Sequence, residues 1–487
     1  MNEPGIAIVG LGPGDPGLLT RQAWELLGGI EEIYLRTRMH PTVAGFPVGL
    51  RVHSFDHLYE EEASFEIVYE NIVHTVLSLG VREAGVVYGV PGHPFVAEAT
   101  TPEIARRARE SGIPVTVIEG ISFIESLFSL LGVDPFPQTT LVDALEIAVA
   151  HHPPFPPSAP AVIAQIHSPS VASDLKITLM EVYPDEHQVH LVHGAGTKNA
   201  SVETMPLYEI DRKQNIGLLT ALYLPPLEKG SAFEDFQEII AHLRAPDGCP
   251  WDRDQTHQSL RPYLLEESYE VLAALDSGDQ DALREELGDL LLQVVLHAQI
   301  ASEYGEFSMA EVLLEISEKL IRRHPHVFGD LHVDDKQKVL ENWERIKISE
   351  REQEGQRANG VLEGVSLALP ALVQAESYQE RVNRVGFDWL NIQGVFDKIT
   401  EELFEVQEAD SLEDQEGEMG DLLFAIVNLA RWLNIDAESA LRAANARFRK
   451  RFEKLESTIS AQGREVKDLS FEELDDLWNS VKGEGSG

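Results

Sequence analysis

Thr400-Glu401-Glu402-Leu403-Phe404-Glu405-Val406 and Glu418-Met419-Gly420-Asp421-Leu422-Leu423, with twelve residues between Glu405 and Glu418, determine how the second half of the chain is read. Residues three apart on a helix share a face, so Glu402 projects with Glu405 and Glu418 with Asp421. Twelve residues are enough for the first helix to end and the chain to reverse, which sets the second pair opposite the first, as in carboxylate sites inside helical bundles. The run Leu422-Leu-Phe-Ala-Ile-Val427 that follows is almost wholly apolar and is expected to be buried. Four carboxylates beside a core repel one another unless cations neutralise them. Ligation by oxygen alone selects a hard ion, Mg²⁺ or Mn²⁺, which brings phosphates with it.

The same blocks occur upstream. Leu265-Glu266-Glu267-Ser268-Tyr269-Glu270-Val271 matches the first acidic block, and Glu286-Leu-Gly-Asp289-Leu-Leu matches the second. Lys319 and Arg323 then correspond to Arg447 and Arg451, and Trp343…Lys347 to Trp478…Lys482. Four blocks in one order at nearly constant offset describe two copies of one helical unit. The metal set is thus Glu402, Glu405, Glu418 and Asp421, with Glu267, Glu270, Glu286 and Asp289 as its equivalent. Arg447 and Arg451, one turn apart, are read either as a fork for phosphates or as partners of surface acids. Trp478 and Lys482 are read either as a stacking and charge lid over a nucleotide or, for the tryptophan, as core.

Outward from these blocks, the helical period begins at Phe233, after Pro225-Pro226-Leu227-Glu228-Lys229-Gly230-Ser231, a linker by composition. The preceding residues alternate strands and helices, with apolar strands at Ile6–Val9, Gly85–Val90 and Pro114–Ile118, each followed by glycine. This gives an α/β region of two subdomains expected to meet at the proline-rich stretch His151–Pro160. The expected domains are 1–226 (α/β), 234–350 (first all-α repeat) and 361–482 (second all-α repeat). Gly10-Leu11-Gly12-Pro13-Gly14-Asp15 closes the first strand; its spacing is not that of a dinucleotide-binding loop, and alone it reads as a turn.

The net charge of −43, from 39 basic and 82 acidic residues among 487, repels phosphate backbones and argues against polymeric nucleic acid as a partner. No apolar run reaches the ~20 residues of a membrane span, and the amino terminus has no basic stretch of a secretory signal. The single cysteine, Cys249, excludes an internal disulfide framework and fits a reducing, cytoplasmic setting.

The acidic blocks, together with Leu243-Arg-Ala-Pro-Asp-Gly-Cys-Pro-Trp-Asp-Arg-Asp-Gln-Thr256 and Arg322-Arg-His-Pro-His-Val-Phe-Gly329, resemble the MazG family of all-α nucleoside triphosphate pyrophosphohydrolases over about 234–482. The resemblance implies hydrolysis of nucleoside triphosphates to monophosphate and pyrophosphate with Mg²⁺ at the acids and Glu401 orienting or deprotonating water. It further implies that the second copy is the catalytic one and that the protein pairs as a homodimer. The loop Gly10–Asp15, with Gly89-Val90-Pro91-Gly92-His93-Pro94 and Glu119-Gly120-Ile121-Ser122, resembles the tetrapyrrole (corrin/porphyrin) methylase family over about 3–225. That implies S-adenosylmethionine held by Gly12, Pro13, Gly14, Asp15, Gly92 and Ser122. Two other functional classes stay open: a methyltransferase whose helical half is a dimerisation scaffold, and a sensor of S-adenosylmethionine that regulates the hydrolase.

Overall fold

A computed structural model describes residues 4–62, 64–332 and 360–484, with 335, 338, 339, 342, 343, 345, 346 and 350 between them; Lys347 lies outside the described residues. The chain divides into two compact units, Met1–Asp254 and Gln255–Gly487.

In the first unit, β1 (Ile6–Gly10), β2 (Glu32–Leu35), β3 (Arg51–Ser54), β4 (Val86–Val90) and β5 (Val115–Ile118) form a parallel sheet in the order β3-β2-β4-β1-β5. β1 registers Ile6 with both Val86 and Val115. Its residues are buried on both faces, which is why Ile-Ala-Ile-Val reads as a continuous apolar run. Alternate positions serve opposite layers. Ile6 and Ile8 join α3 (Phe65–Gly80) and α4 (Thr100–Glu110), which follow α1 (Arg21–Gly28) and α2 (Asp56–Glu61) in the chain. Ala7 and Val9 face Ala23 and Leu27 of α1. Each fully buried isoleucine or leucine contributes roughly 1.5–3 kcal/mol.

After α5 (Phe123–Leu131) the chain enters a second sheet, β6 (Thr140–Asp143), β7 (Ala161–Ala164), β8 (Gln188–His193), β9 (Ser201–Pro206) and β10 (Thr220–Leu224), in the order β6-β7-β10-β8-β9. Only the β6–β7 pair is parallel. α6 (Ala144–Ala148) and α7 (Pro169–Met180) pack on one face. The change of sheet therefore falls between α5 and β6. The proline-rich stretch 151–160 lies within the second sheet's connections instead, where Pro160 accepts from Thr140 N and Pro157 from Leu227 N. That last bond ties down the turn at Pro225–Ser231, and Gly230 N donates to Asp235 of α8 (Phe233–Arg244). α8 and α9 (Pro250–Arg253) are counted with the first unit by their contacts.

The second unit is all helical: α10 (His257–Ser277), α11 (Gln280–Glu303), α12 (Met309–Arg323), α13 (Pro325–Phe328), α14 (Ala371–Arg384), α15 (Ile392–Glu408), α16 (Leu412–Trp432), α17 (Ala437–Ala461) and α18 (Phe471–Glu484). α10 and α11 form a hairpin. Gly278 ends α10 at φ +72°, and Asp279 caps α11 by accepting from Asp281 N and Ala282 N. α15 and α16 form a second hairpin, with Ser411 capping α16 through Asp414 N. Gln379 of α14 lies across it, its amide donating to the Phe424 carbonyl at 2.8 Å.

The apolar run after the second acidic block is not buried as expected. Ala425 and Val427 are, but Leu423, Phe424 and Ile426 are exposed. α15 and α14 pack against α16, and α17 makes a smaller contact with it. The run is apolar on all sides, and among the described residues these neighbours leave part of it open.

Candidate metal centre and cofactor cradle

α15 and α16 bring together Glu402, Glu405 and Glu418, each offering an oxygen within 4.8 Å of the others. Glu402 and Glu405 are one turn apart on α15, and Glu418 faces them from the second turn of α16. Glu402 is 4% exposed, and its Oε2 has no hydrogen-bond partner. Its Oε1 lies 2.6 Å from Nζ of Lys398, which also lies 2.8 Å from Glu401 Oε1. Desolvation, then the charges of Glu402 and Glu418, push the Glu405 carboxyl above its usual range, partly offset by Lys398. Asp421, on the same helix one turn beyond Glu418, is exposed and is not part of this three-oxygen group.

The first hairpin repeats the geometry. Glu267 and Glu270 of α10 and Glu286 of α11 also lie within 4.8 Å. Asp289 is outside the group but close enough to act on it. Desolvation, a hydrogen bond with Glu270 and the Asp289 charge raise Glu267, and desolvation with Glu270, Glu285 and Asp289 raises Glu286. At the position of Lys398 this copy has Tyr263.

Lys398 was not singled out from the sequence. The signal was present: a lysine three and four residues ahead of two glutamates on a helix reaches both. The remaining sequence-assigned side chains lie on α17 and α18. Arg447 is exposed and Arg451 half-buried, and among the described residues no ion pair joins either to the carboxylates. Trp478 packs 5.2 Å from Phe448 and beside the small core of Leu455, Ile459 and Val481, so of its two readings the core one describes its present contacts. Lys482 is exposed, one turn beyond it. Arg323, the counterpart of Arg451, is held by Glu350 at 2.6 Å.

In the first unit the three glycine motifs meet at the carboxyl ends of β1, β4 and β5. Gly12 (φ +70°) and Gly92 bond each other's backbones, Gly92 N to Gly12 O at 2.8 Å. A Cβ on Gly10 would stand 2.6 Å from Gly92 O, and one on Gly120 would stand 2.3 Å from the same oxygen. No side chain fits at either position, so three backbones converge where a parallel sheet places its ligands. Gly14 lies under Thr197, and a Cβ on Gly196 would strike Pro13 at 2.2 Å. Asp15 N donates to Gly196 O at 2.8 Å, while its carboxylate caps the turn at Gly17 N. Pro13, Gly14 and Asp15 are thus drawn to the loop after β8. Ser122, 2% exposed, caps α5 through Ile124 N and donates to Glu125. His93 accepts from Phe95 N, the bond of a loop histidine.

Comparison with known proteins agrees with both halves. The tetrapyrrole (corrin/porphyrin) methylase family matches residues 5–211, and the MazG nucleotide pyrophosphohydrolase domain matches 255–328. The uncharacterized protein YabN of Bacillus subtilis is 41% identical over 98% of this chain and 98% of its own. The nucleoside triphosphate pyrophosphohydrolase/pyrophosphatase MazG of Thermotoga maritima is 48% identical over 53% of this chain and 98% of its own. The nucleoside triphosphate pyrophosphohydrolase of Escherichia coli K12 is 46% identical over 50% and 94%. No helix among the described residues is long and apolar enough to cross a membrane.

Proposed function

Because the chain belongs to the MazG family of nucleoside triphosphate pyrophosphohydrolases and carries a tetrapyrrole methylase domain ahead of it, we propose that its helical unit hydrolyses nucleoside triphosphates to nucleoside monophosphate and pyrophosphate. The observation that carries this reading is the convergence of Glu402, Glu405 and Glu418, with a buried carboxylate oxygen of Glu402 left without a partner. An all-oxygen donor set with an orphaned buried oxygen fits Mg²⁺ or Mn²⁺ and does not fit a softer ion. Bound there, the ion supplies charge neutralisation for the phosphates and acidifies a coordinated water.

The chain's own residues divide the remaining work. Glu402, Glu405 and Glu418 would hold the ion together with Asp421, one turn further along α16. Glu401 accepts the proton of the water that attacks the α-phosphorus, and pyrophosphate leaves. Arg447 and Arg451 pair with phosphate oxygens, and Trp478 and Lys482 border the nucleotide. The first cluster, Glu267, Glu270, Glu286 and Asp289, is the equivalent set of a tandem repeat. Exposed apolar side chains on the helical unit, among them Leu265, Leu272 and Leu275 of α10 and Leu287, Leu291 and Val294 of α11, support pairing of two copies as a homodimer. The acidic surface supports small nucleotides over polymers, and the lone cysteine supports a cytoplasmic setting.

A pyrophosphate-release screen over the eight common ribo- and deoxyribonucleoside triphosphates with Mg²⁺ tests the reading. Turnover that disappears in excess EDTA and in Glu418→Gln/Asp421→Asn is expected. Activity unchanged by both treatments overturns it.

A second reading concerns the first unit alone. The glycine junction of Gly10, Gly92 and Gly120 supports binding of S-adenosylmethionine at Gly12–Asp15, Gly92 and Ser122, for methyl transfer or for sensing. Calorimetry with S-adenosylmethionine, followed by hydrolysis assays in its presence, separates these.

A further inference from the structure

The two carboxylate clusters share a geometry but differ in charge. In the second, Lys398 Nζ stands 2.6 Å from Glu402 Oε1 and 2.8 Å from Glu401 Oε1. Glu402 is 4% exposed while the lysine side chain keeps 36% exposure, so the pair is buried on its acid side and reaches water through the lysine. The lysine takes one oxygen of Glu402 and leaves the other, Oε2, buried and unpartnered. In the first cluster the corresponding position is Tyr263, and the strongest charges on Glu267 and Glu286 come from Glu270, Asp289, Glu266 and Glu285, all negative. Among the described residues one cluster has a lysine paired with its acids, and for the other no ion pair to its three glutamates is present.

The geometry points to Lys398 as a tethered counter-ion that fixes Glu402 through Oε1, keeps the second cluster assembled without metal, and makes its divalent-cation affinity lower than that of the Glu267–Glu270–Glu286 cluster. This rests on the reading of both clusters as metal sites. A positive charge a few ångströms from a divalent ion opposes its binding, while the same charge relieves repulsion among the acids when the ion is absent. Among the described residues no such lysine relieves the first cluster, so it depends on the ion and retains it longer. The second can release its ion and take another with each substrate, which suits a site that receives metal together with a nucleotide. Lys398 is therefore a positioning residue that divides the labour between the two copies.

The test is a titration of the metal-free full-length protein with Mn²⁺, followed by electron paramagnetic resonance, with no nucleotide present. The wild type is expected to show two classes of site. Glu267→Gln should remove or weaken the tighter class and Glu402→Gln the weaker one. Lys398→Met should tighten the weaker class about tenfold, leave the tighter class unmoved, and lower the melting temperature in EDTA, with Mg²⁺ restoring it. Lys398→Arg, which keeps the charge, should behave as wild type in the titration. Circular dichroism confirms that each variant is folded. If neither glutamine variant changes Mn²⁺ binding, the metal reading itself fails. If they do change it but Lys398→Met leaves the weaker class unchanged, or weakens it as loss of a merely structural contact would, the metal reading stands and the counter-ion role is overturned.

Discussion

Arg431 Nη2 and Asp388 Oδ2 lie 2.7 Å apart, with only 12% and 14% of the two side chains exposed. The pair ties the segment before α15 to the end of α16. Trp432 Nε1 donates to the other Asp388 oxygen at 3.2 Å, and Arg431 also bonds Asn428. Desolvation would raise the Asp388 carboxyl, but the bonds from Arg431, Trp389 N and Trp432 outweigh it and hold it below its ordinary value. Removing the acid takes the ion-pair partner from a guanidinium that is only 12% exposed. Asp388→Ala is expected to cost the helical unit about 3–5 kcal/mol, read by urea denaturation of the full chain at neutral pH. A loss below 1 kcal/mol would show that water replaces the acid.

The clusters set a pH dependence of a particular sign. Glu405, Glu267 and Glu286 have folded-state values raised above the 4.5 of a free glutamate. Between 4.5 and the raised values the folded protein binds more protons than the unfolded one, so their contribution is fully present below 4.5 and is lost as pH rises through the folded values. Metal-free protein should therefore gain stability from these groups on moving from pH 7.5 to 5. Mg²⁺ should act in the opposite window, stabilising by about 2.7 kcal/mol at a hundredfold excess over its Kd near pH 7.5 and little at pH 4.5. Thermal melts with EDTA and with Mg²⁺ at the two pH values check this, and a Mg²⁺ effect independent of pH would contradict it.

Asp421 and Asp289 separate the two copies. Asp421 is exposed, as Glu405 is, and stands one turn beyond Glu418. With Asp421 as a fourth metal ligand, Asp421→Ala is expected to lower turnover at least ~100-fold, through loss of the metal's water-activating role. Asp289→Ala should lower it less than tenfold, with most of its effect on melting temperature. Reversal of the two results would make the first copy the catalytic one.

The glycine junction is tested by one methyl group. A Cβ on Gly120 would sit 2.3 Å from Gly92 O and 2.9 Å from Gly10, contacts that only backbone movement relieves. Gly120→Ala should cost the first unit ~3 kcal/mol and abolish S-adenosylmethionine binding in calorimetry. Hydrolysis of nucleoside triphosphates should persist. Retained binding would place the ligand elsewhere.

Much of this was visible in the residues because it rests on local rules. The acidic blocks show their spacing directly, and strands such as β1 and β4 are apolar throughout because both of their faces are covered. β2 and β3 were missed. Glu32-Ile-Tyr-Leu and Arg51-Val-His-Ser are short and mixed, and they become strands only by pairing beside β4. The meeting of Gly10, Gly92 and Gly120 depends on parallel crossovers that no local pattern encodes. The exposure of Leu423, Phe424 and Ile426 was misjudged because an apolar run reveals that a surface wants cover without revealing what covers it. Lys398 obeys the same three- and four-residue spacing as the acids, but a lysine ahead of glutamates on a helix has the look of an ordinary surface pair.

The register of β1 also bears on how the protein is made. Ile6 pairs with Val86 on one side and Val115 on the other, so this strand has no partner until about eighty further residues exist. At roughly 5–20 residues per second, that is a wait of about 4–16 s on a translating ribosome. For that interval an apolar segment destined for the centre of a sheet has two unpaired edges, while each helical hairpin downstream closes on contacts only tens of residues apart. The order of synthesis thus puts the slowest element to satisfy first, and the first unit, not the helical one, is where a slowed ribosome or a holding chaperone would change the yield of native protein.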